Sequence, residues 1–182
     1  VCAGRILHAV LQQVLRVAKR VRTETDLSRG RVSVGSIAVD LAGRIFDDLP
    51  SKTAMVIGAG KIGQQATAAL MAKGVREAYV VNRSAERVSA MAAAHGATAL
   101  SLEQLAEGLP RSDIVICATS APGTVLGVEG VRAAMAQRHG RPMLLIDLAV
   151  PRDIEAAVGE LENVYLYSLD DLEGIARENQ AK

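Results

Sequence analysis

The stretch Thr53-Ala54-Met55-Val56-Ile57-Gly58-Ala59-Gly60-Lys61-Ile62-Gly63-Gln64-Gln65-Ala66 constrains this chain more than any other, because an apolar run breaks into glycines and resumes as a helix-forming sequence. It predicts a strand, a tight turn and a helix. Gly58, Gly60 and Gly63 stand in G-x-G-x-x-G spacing, which lets the chain turn sharply and brings backbone N–H groups to a helix N-terminus where a pyrophosphate can sit. On that reading Gly58, Ala59, Gly60, Lys61, Ile62 and Gly63 are cofactor-binding candidates. Glycine-rich turns also arise for purely steric reasons, so the flanking sequence decides.

The helix that starts in this stretch stops at Gly74, and a second β-rich run, Ala78-Tyr79-Val80-Val81, follows at once and completes a βαβ unit. Where an NAD-binding domain places a carboxylate against the ribose 2′-hydroxyl, this chain has Asn82-Arg83-Ser84, with Arg87 one turn further on. An arginine accommodates a 2′-phosphate that a carboxylate would repel, so these four positions point to NADP. The other reading makes Asn82 and Ser84 turn and N-cap residues and Arg83 a solvated charge.

With 182 residues, 49% of them hydrophobic, the chain can bury one good core, and its net charge of +1 gives no bulk attraction to nucleic acid. The basic cluster Arg16, Lys19, Arg20 and Arg22 reads as a solvated helix face. Cys2 and Cys117 make no disulfide framework, and His8, His95 and His139 stand singly, without metal-ligand spacing. A reducing, cytoplasmic setting is expected, with no membrane-spanning run and no signal peptide. The start at Val1 suggests an excised piece of a longer protein.

Apolar residues at Leu7, Val10, Leu11, Val14, Leu15 and Ala18 predict an amphipathic helix over 6–18. A polar, turn-rich segment follows at 23–30, then a second helix from about Ser36 to Asp48. Residues 1–50 are thus expected to form a helical linker and 51–182 the nucleotide domain. Further on, a helix is predicted over 85–95, a strand at 98–100, and a short helix opened by Ser101 and Gln104 in capping-box spacing. Buried strands are expected at 113–118 and 143–148, a helix at 128–137, a strand at 164–167 and a terminal helix from 169. The alternation predicts an α/β fold of Rossmann type, a doubly wound parallel sheet of order 3-2-1-4-5-6.

Ligands of such sheets bind outside the carboxyl ends of the strands, which singles out Thr119, Ser120 and Ala121 after one strand and Ala149, Val150 and Pro151 after the next. Small hydroxyl residues in the first could let the backbone approach a ribose or nicotinamide; an ordinary loop for the first, and an ordinary Pro-containing turn over Ala149-Val150-Pro151-Arg152-Asp153 for the second, explain them equally well. Cys117, in an apolar strand, is better read as a small core residue than as a nucleophile, and Cys2 has no activating neighbour in sequence.

In order along the chain, Ala18-Lys19-Arg20-Val21-Arg22-Thr23-Glu24-Thr25, Val32-Ser33-Val34, Ile57-Gly58-Ala59-Gly60, Asn82-Arg83-Ser84, Ile146 to Ile154, Asn163 to Tyr167 and Asp170-Asp171-Leu172 together resemble glutamyl-tRNA reductase. The phrases outside the glycine turn are much the more specific, and the resemblance runs over nearly the whole chain. It implies NADPH-dependent reduction of glutamate esterified to tRNA, giving glutamate 1-semialdehyde for tetrapyrrole (porphyrin) synthesis. It also implies three parts: a catalytic domain with a nucleophilic cysteine, a linking helix with the NADPH domain, and a C-terminal domain through which a homodimer forms. Only the middle part is expected in this chain. Glutamyl-tRNA, met through the catalytic domain, and glutamate-1-semialdehyde aminomutase are the partners the resemblance implies.

Two departures qualify the carry-over. The family's cysteine stands in a Cys-Asn-Arg context that neither Cys2 nor Cys117 matches, so no catalytic residue is assigned and the fragment is expected to be inactive by itself. Lys61 stands where many members carry glutamate; at a first helical turn a lysine opposes the helix dipole but attracts phosphate. Two alternatives remain open, a shikimate-dehydrogenase-like NADP oxidoreductase domain and a module that senses NADP without turnover.

Overall fold

A computed structural model describes residues 33–180, together with positions 4, 10, 13, 14 and 17 of the preceding stretch. Of the helix expected over 6–18, Val10, Gln13, Val14 and Val17 are described and helical; its other residues, the basic cluster and the polar segment at 23–30 lie outside the described residues.

The nucleotide-domain sequence folds as six parallel strands: β1 (Thr53–Ile57), β2 (Glu77–Val81), β3 (Thr98–Leu100), β4 (Ile114–Cys117), β5 (Met143–Asp147) and β6 (Val164–Ser168). They lie in the order β3-β2-β1-β4-β5-β6, the doubly wound topology expected from the sequence. All pairings are parallel, and β1, at the centre, is flanked by β2 and β4. Two cores result from the period of the strands. Ala54 and Val56 face one side with Ile114, Ile116, Leu144 and Ile146. Met55 and Ile57 face the other with Val115, Cys117, Met143 and Leu145. Burial on both faces is why these strands are continuous apolar runs rather than alternating ones.

Helices fill both faces: α1 (Val34–Ile45), α2 (Lys61–Ala72), α3 (Ala85–His95), the single turn α4 (Leu105–Gly108), α5 (Val128–Ala136) and α6 (Leu169–Gln180). Helix α1 starts two residues earlier than expected because Ser33 is its N-cap, accepting from the Ser36 N–H at 3.1 Å. It ends at Ile45, three residues early. Phe46 turns extended, its ring 5.3 Å from Lys52 Nζ, and Leu49–Ser51 form a separate 3-10 turn around Pro50. The chain divides into compact units of residues 1–32 and 33–182, so α1 goes with the sheet rather than with the segment before it, eighteen residues ahead of the boundary read from the sequence. Gly35 explains the close seating, since a Cβ there would lie 2.8 Å from the backbone nitrogen of Ala66 in α2.

The capping-box reading at Ser101 holds in part: Gln104 Oε1 accepts from the Ser101 N–H at 2.9 Å, but residues 101–104 form a turn and the helix begins only at Leu105. At the amino end of β4, Arg138 is fully buried, donating to the carbonyls of Pro110, Ser112, Arg141 and Pro142 and to Asp113 Oδ1 at 2.8 Å. Asp113 in turn accepts from the Thr53 N–H, so one buried cation ties the entry of β1 to the loops beneath β4 and β5. Among the described residues no helix is long and apolar enough to cross a membrane.

Candidate functional site

The three glycines of the turn do three different things. Gly58 has φ +114°, and a Cβ on it would overlap the Ala118 carbonyl at the end of β4, so both conformation and space require glycine. Its N–H donates to Val81 O at 2.8 Å while Ala118 N–H donates to Ile57 O at 2.8 Å, which joins the carboxyl ends of β1, β2 and β4. Gly63, in the first turn of α2, packs its bare Cα against the Gly58 carbonyl. Gly60 is the N-cap of α2 with ordinary extended backbone (φ −79°, ψ −176°), and a Cβ there would meet no atom within 4 Å. Nothing internal needs a glycine at 60. Among the described residues no side chain caps α2, so the N–H groups of its first turn are disposed for an anion.

Above this turn lies a cleft of about 620 Å³. Its walls bring together eleven of the sequence candidates: Gly58, Ala59, Gly60, Lys61 and Ile62 from the glycine turn; Asn82, Arg83 and Arg87 from the β2 end; and Thr119, Ser120 and Ala121 after β4. Gly63 lies beneath as packing. Ser84 is the N-cap of α3, its hydroxyl accepting from the Arg87 N–H at 3.3 Å, and it does not line the cleft. Asn82 Oδ1 accepts from the Arg83 N–H at 2.8 Å, so the turn chemistry and the exposed arginine coexist. Ala149, Val150 and Pro151 are also absent from the lining. Ala149 is buried, while Val150, 79% exposed, and Pro151 form an outward turn with a cis bond between them.

Among the described residues three cations, Lys61, Arg83 and Arg87, line the cleft and no carboxylate does. Apolar surface comes from Leu102 and Leu105, in the connection after β3, and from Val125. The sequence reading missed these three because nothing in their local pattern distinguishes them from core residues.

It also missed the polar support of the β4 end. Asp153 is fully buried, accepting from the Thr119 N–H at 2.8 Å and from its hydroxyl at 2.5 Å, while Thr119 Oγ1 accepts from the Ala121 N–H at 3.0 Å. Asp147, at the end of β5, accepts from Ala149 N–H and Ile154 N–H, both at 3.0 Å. Burial raises the Asp147 carboxyl above its ordinary value of 3.8, those backbone hydrogen bonds oppose the rise, and the neighbouring Asp153 adds to it. Cys117 is completely buried, and burial followed by the charges of Asp153 and Asp147 pushes its thiol well above its ordinary value. A thiol so protected is no nucleophile, in agreement with the core reading. No cluster of three metal-ligating side chains occurs among the described residues.

A family model described as shikimate / quinate 5-dehydrogenase matches residues 40–175. Glutamyl-tRNA reductase of Halorhodospira halophila is 42% identical over 98% of this chain and 40% of its own length. That of Idiomarina loihiensis is 46% identical over 97% of this chain and 42% of its own. The chain therefore spans about two-fifths of the curated relatives it matches. Among solved structures, glutamyl-tRNA reductase from Methanopyrus kandleri superposes with a TM-score of 0.76 at 42% identity, covering 97% of this chain and 45% of that one. The nucleotide binding domain of the Thermoplasma volcanium reductase, at 22% identity and a TM-score of 0.62, shares the fold and covers 84% of this chain and 96% of its own.

Proposed function

Since the chain belongs to the shikimate / quinate 5-dehydrogenase family, and since its likeness to glutamyl-tRNA reductases runs over nearly its whole length, we propose that it is the NADPH-binding part of a glutamyl-tRNA reductase. The whole enzyme would reduce the glutamyl group on tRNA to glutamate 1-semialdehyde, a step toward tetrapyrroles in the cytoplasm. The observation that carries the cofactor reading is the cleft itself, lined among the described residues by three cations and no carboxylate, with a glycine at 60 whose missing Cβ leaves open space.

A dinucleotide fits these residues part by part. Its pyrophosphate would lie on the first turn of α2, where Gly60 admits it and Lys61 adds positive charge. Arg83 would pair with the 2′-phosphate and Asn82 would hold the turn that presents it, with Arg87 adding charge from α3. The cofactor, once bound, supplies the hydride. The chain's own contribution is binding and orientation: among the described residues it offers no cysteine nucleophile, since Cys117 is sealed in the sheet and Cys2 lies outside them. Formation of a thioester from the aminoacyl ester is therefore assigned to a catalytic domain, as is contact with tRNA. Dimerisation through a C-terminal domain and contact with the aminomutase belong to the same reading of the full-length enzyme. As a division of the sequence by role, a helical linker at 1–50 and the nucleotide domain at 51–182 is part of the same proposal, although the end of that linker, α1, belongs to the compact unit of the sheet and packs into its core.

The family description brings a shikimate-type dehydrogenase as a second reading, but the solved quinate dehydrogenase from Corynebacterium glutamicum is only 16% identical and speaks for the fold alone. Titration of this chain with NADPH tests the proposal. Saturable binding that excludes NADH at equal concentration, with no reduction of NADP+ on adding shikimate, is the expected result. Equal binding of both nucleotides, or shikimate turnover, would overturn it.

A further inference from the structure

The loop from Ala118 to Leu126 forms one wall of the cleft, contributing Ala118, Thr119, Ser120, Ala121, Thr124 and Val125. It has no regular structure of its own apart from an isolated bridge between Leu126 and Ile154. One residue outside the loop holds both of its ends. At the near end the Asp153 carboxylate takes the N–H and the hydroxyl of Thr119. At the far end the Asp153 carbonyl accepts from Val125 N–H at 2.6 Å and Leu126 N–H at 3.0 Å, and Glu155 N–H returns a bond to Leu126 O at 3.1 Å. Asp153 is itself fixed by Asp147, whose carboxylate bridges Ala149 and Ile154 and so closes the turn that delivers residue 153 into the interior.

These bonds commit Thr119. Its N–H and hydroxyl proton go to Asp153 and its oxygen receives Ala121 N–H, which leaves its carbonyl as the polar group of the residue without an intramolecular partner among the described residues. A buried carboxylate with 0% exposure is costly unless it is satisfied this fully, and satisfying it requires the 119–126 loop to stay where it is. The strand order gives that wall its role. With β1 between β2 and β4, a dinucleotide centred on the glycine turn and holding its 2′-phosphate at Arg83 on the β2 side must extend its nicotinamide half across the β4 end.

We propose that Asp153 is a positioning residue for the nicotinamide half of the cofactor, acting through Thr119 and the 118–126 loop. The proposal rests on the NADPH reading above. Asp153→Asn keeps the side-chain shape but replaces one charged acceptor by a donor facing the Thr119 N–H or hydroxyl; Thr119→Val keeps the shape and removes only the hydroxyl. The test is titration of wild type and both variants with NADPH and with 2′-phosphoadenosine 5′-diphosphate, which lacks the nicotinamide riboside, well below the melting temperature of each. Asp153→Asn should weaken NADPH roughly tenfold or more, the order expected when a binding wall shifts by a fraction of an ångström, and leave the fragment within about twofold. Thr119→Val should show the same selectivity with a smaller loss, and Thr119→Ser should restore wild-type binding. A general loss of structure would weaken both ligands together. Equal losses for the two ligands in Thr119→Val, or unchanged NADPH binding in a folded Asp153→Asn, overturn the positioning role. If Asp153→Asn does not fold, the Thr119 pair decides. Failure of wild type to bind either ligand would instead sink the cofactor reading, and so the two can be told apart.

Discussion

Substitution of Gly60 by valine separates the ligand-directed part of the glycine turn from its structural part. The backbone at 60 is extended, at φ −79° and ψ −176°, which a β-branched residue adopts without strain, and a Cβ there meets nothing within 4 Å. The folding cost is then confined to a poorer N-cap, on the order of 1 kcal/mol, or a fall in melting temperature of roughly 2–4 °C for a domain of this size. The added branch stands in the path to the α2 N–H groups, so pyrophosphate can no longer approach. Loss of even two charge-assisted hydrogen bonds at about 1.5–3 kcal/mol each corresponds to a weakening of 100-fold or more. Gly63→Ala should do the reverse. Its Cβ would overlap the Gly58 carbonyl, backbone against backbone, which cannot relax by a rotamer change, and the expected cost of more than about 4 kcal/mol takes most of a marginal domain's stability. Thermal melts and NADPH titration of both variants make the comparison. A folded Gly60→Val that binds NADPH like wild type would refute the placement of pyrophosphate at this turn. A Gly63→Ala that melts with wild type would refute the packing argument.

Arg83→Ala should reduce the preference for NADPH over NADH from about 10- to 150-fold toward parity, one hydrogen bond to a charged group being worth roughly 1.5–3 kcal/mol. The wild-type preference should shrink as salt is raised, and paired calorimetric titrations at low and high ionic strength would expose a preference that survives either change. Arg138→Met should cost about 3–5 kcal/mol, since it takes the buried cation from Asp113 and from the carbonyls of Pro110 and Ser112 and leaves Asp113 only the exposed Arg141 at 3.4 Å as an ionic partner, and denaturant unfolding showing less than about 1 kcal/mol would contradict the buried network. Asp147 should titrate above 3.8 by carboxyl NMR. Because its folded value is the raised one, the stability it contributes is fully present below the unfolded value and is lost as pH rises through the folded value; a resonance titrating at or below 3.8 would reverse that sign. Incubation with glutamyl-tRNA should leave no mass adduct on Cys117, and an adduct there would overturn its assignment to the core.

The parts of this molecule that could be read from its sequence are those in which neighbouring residues answer to one another. The strand, turn and helix around Gly58 to Gly63 are local: a continuous apolar run buried on both faces, a positive φ and a helix start are all written within a few residues. The strand order followed from the alternation of elements, since crossovers of one hand leave few ways to lay six parallel strands. Helix ends were less legible, because Ser33 could be identified as the cap of α1 only by its bond to Ser36, and Phe46 leaves the helix to meet Lys52 across the 3-10 turn.

Where function depends on residues far apart in sequence, the pattern was silent for a physical reason. Thr119 was a candidate for its position after a strand and for its hydroxyl, yet that hydroxyl is spent on Asp153, 34 residues later. Asp153 itself looked like part of a Pro-containing turn, because a buried acceptor and a solvated one have the same letter; only the closing of the 147–154 turn by Asp147 sends it inward. The same closure turns Val150 outward, away from the cleft where a strand-end rule would put it. Strand ends thus mark a rim of possible contacts, and the buried carboxylates behind the rim decide which of its residues face the cleft.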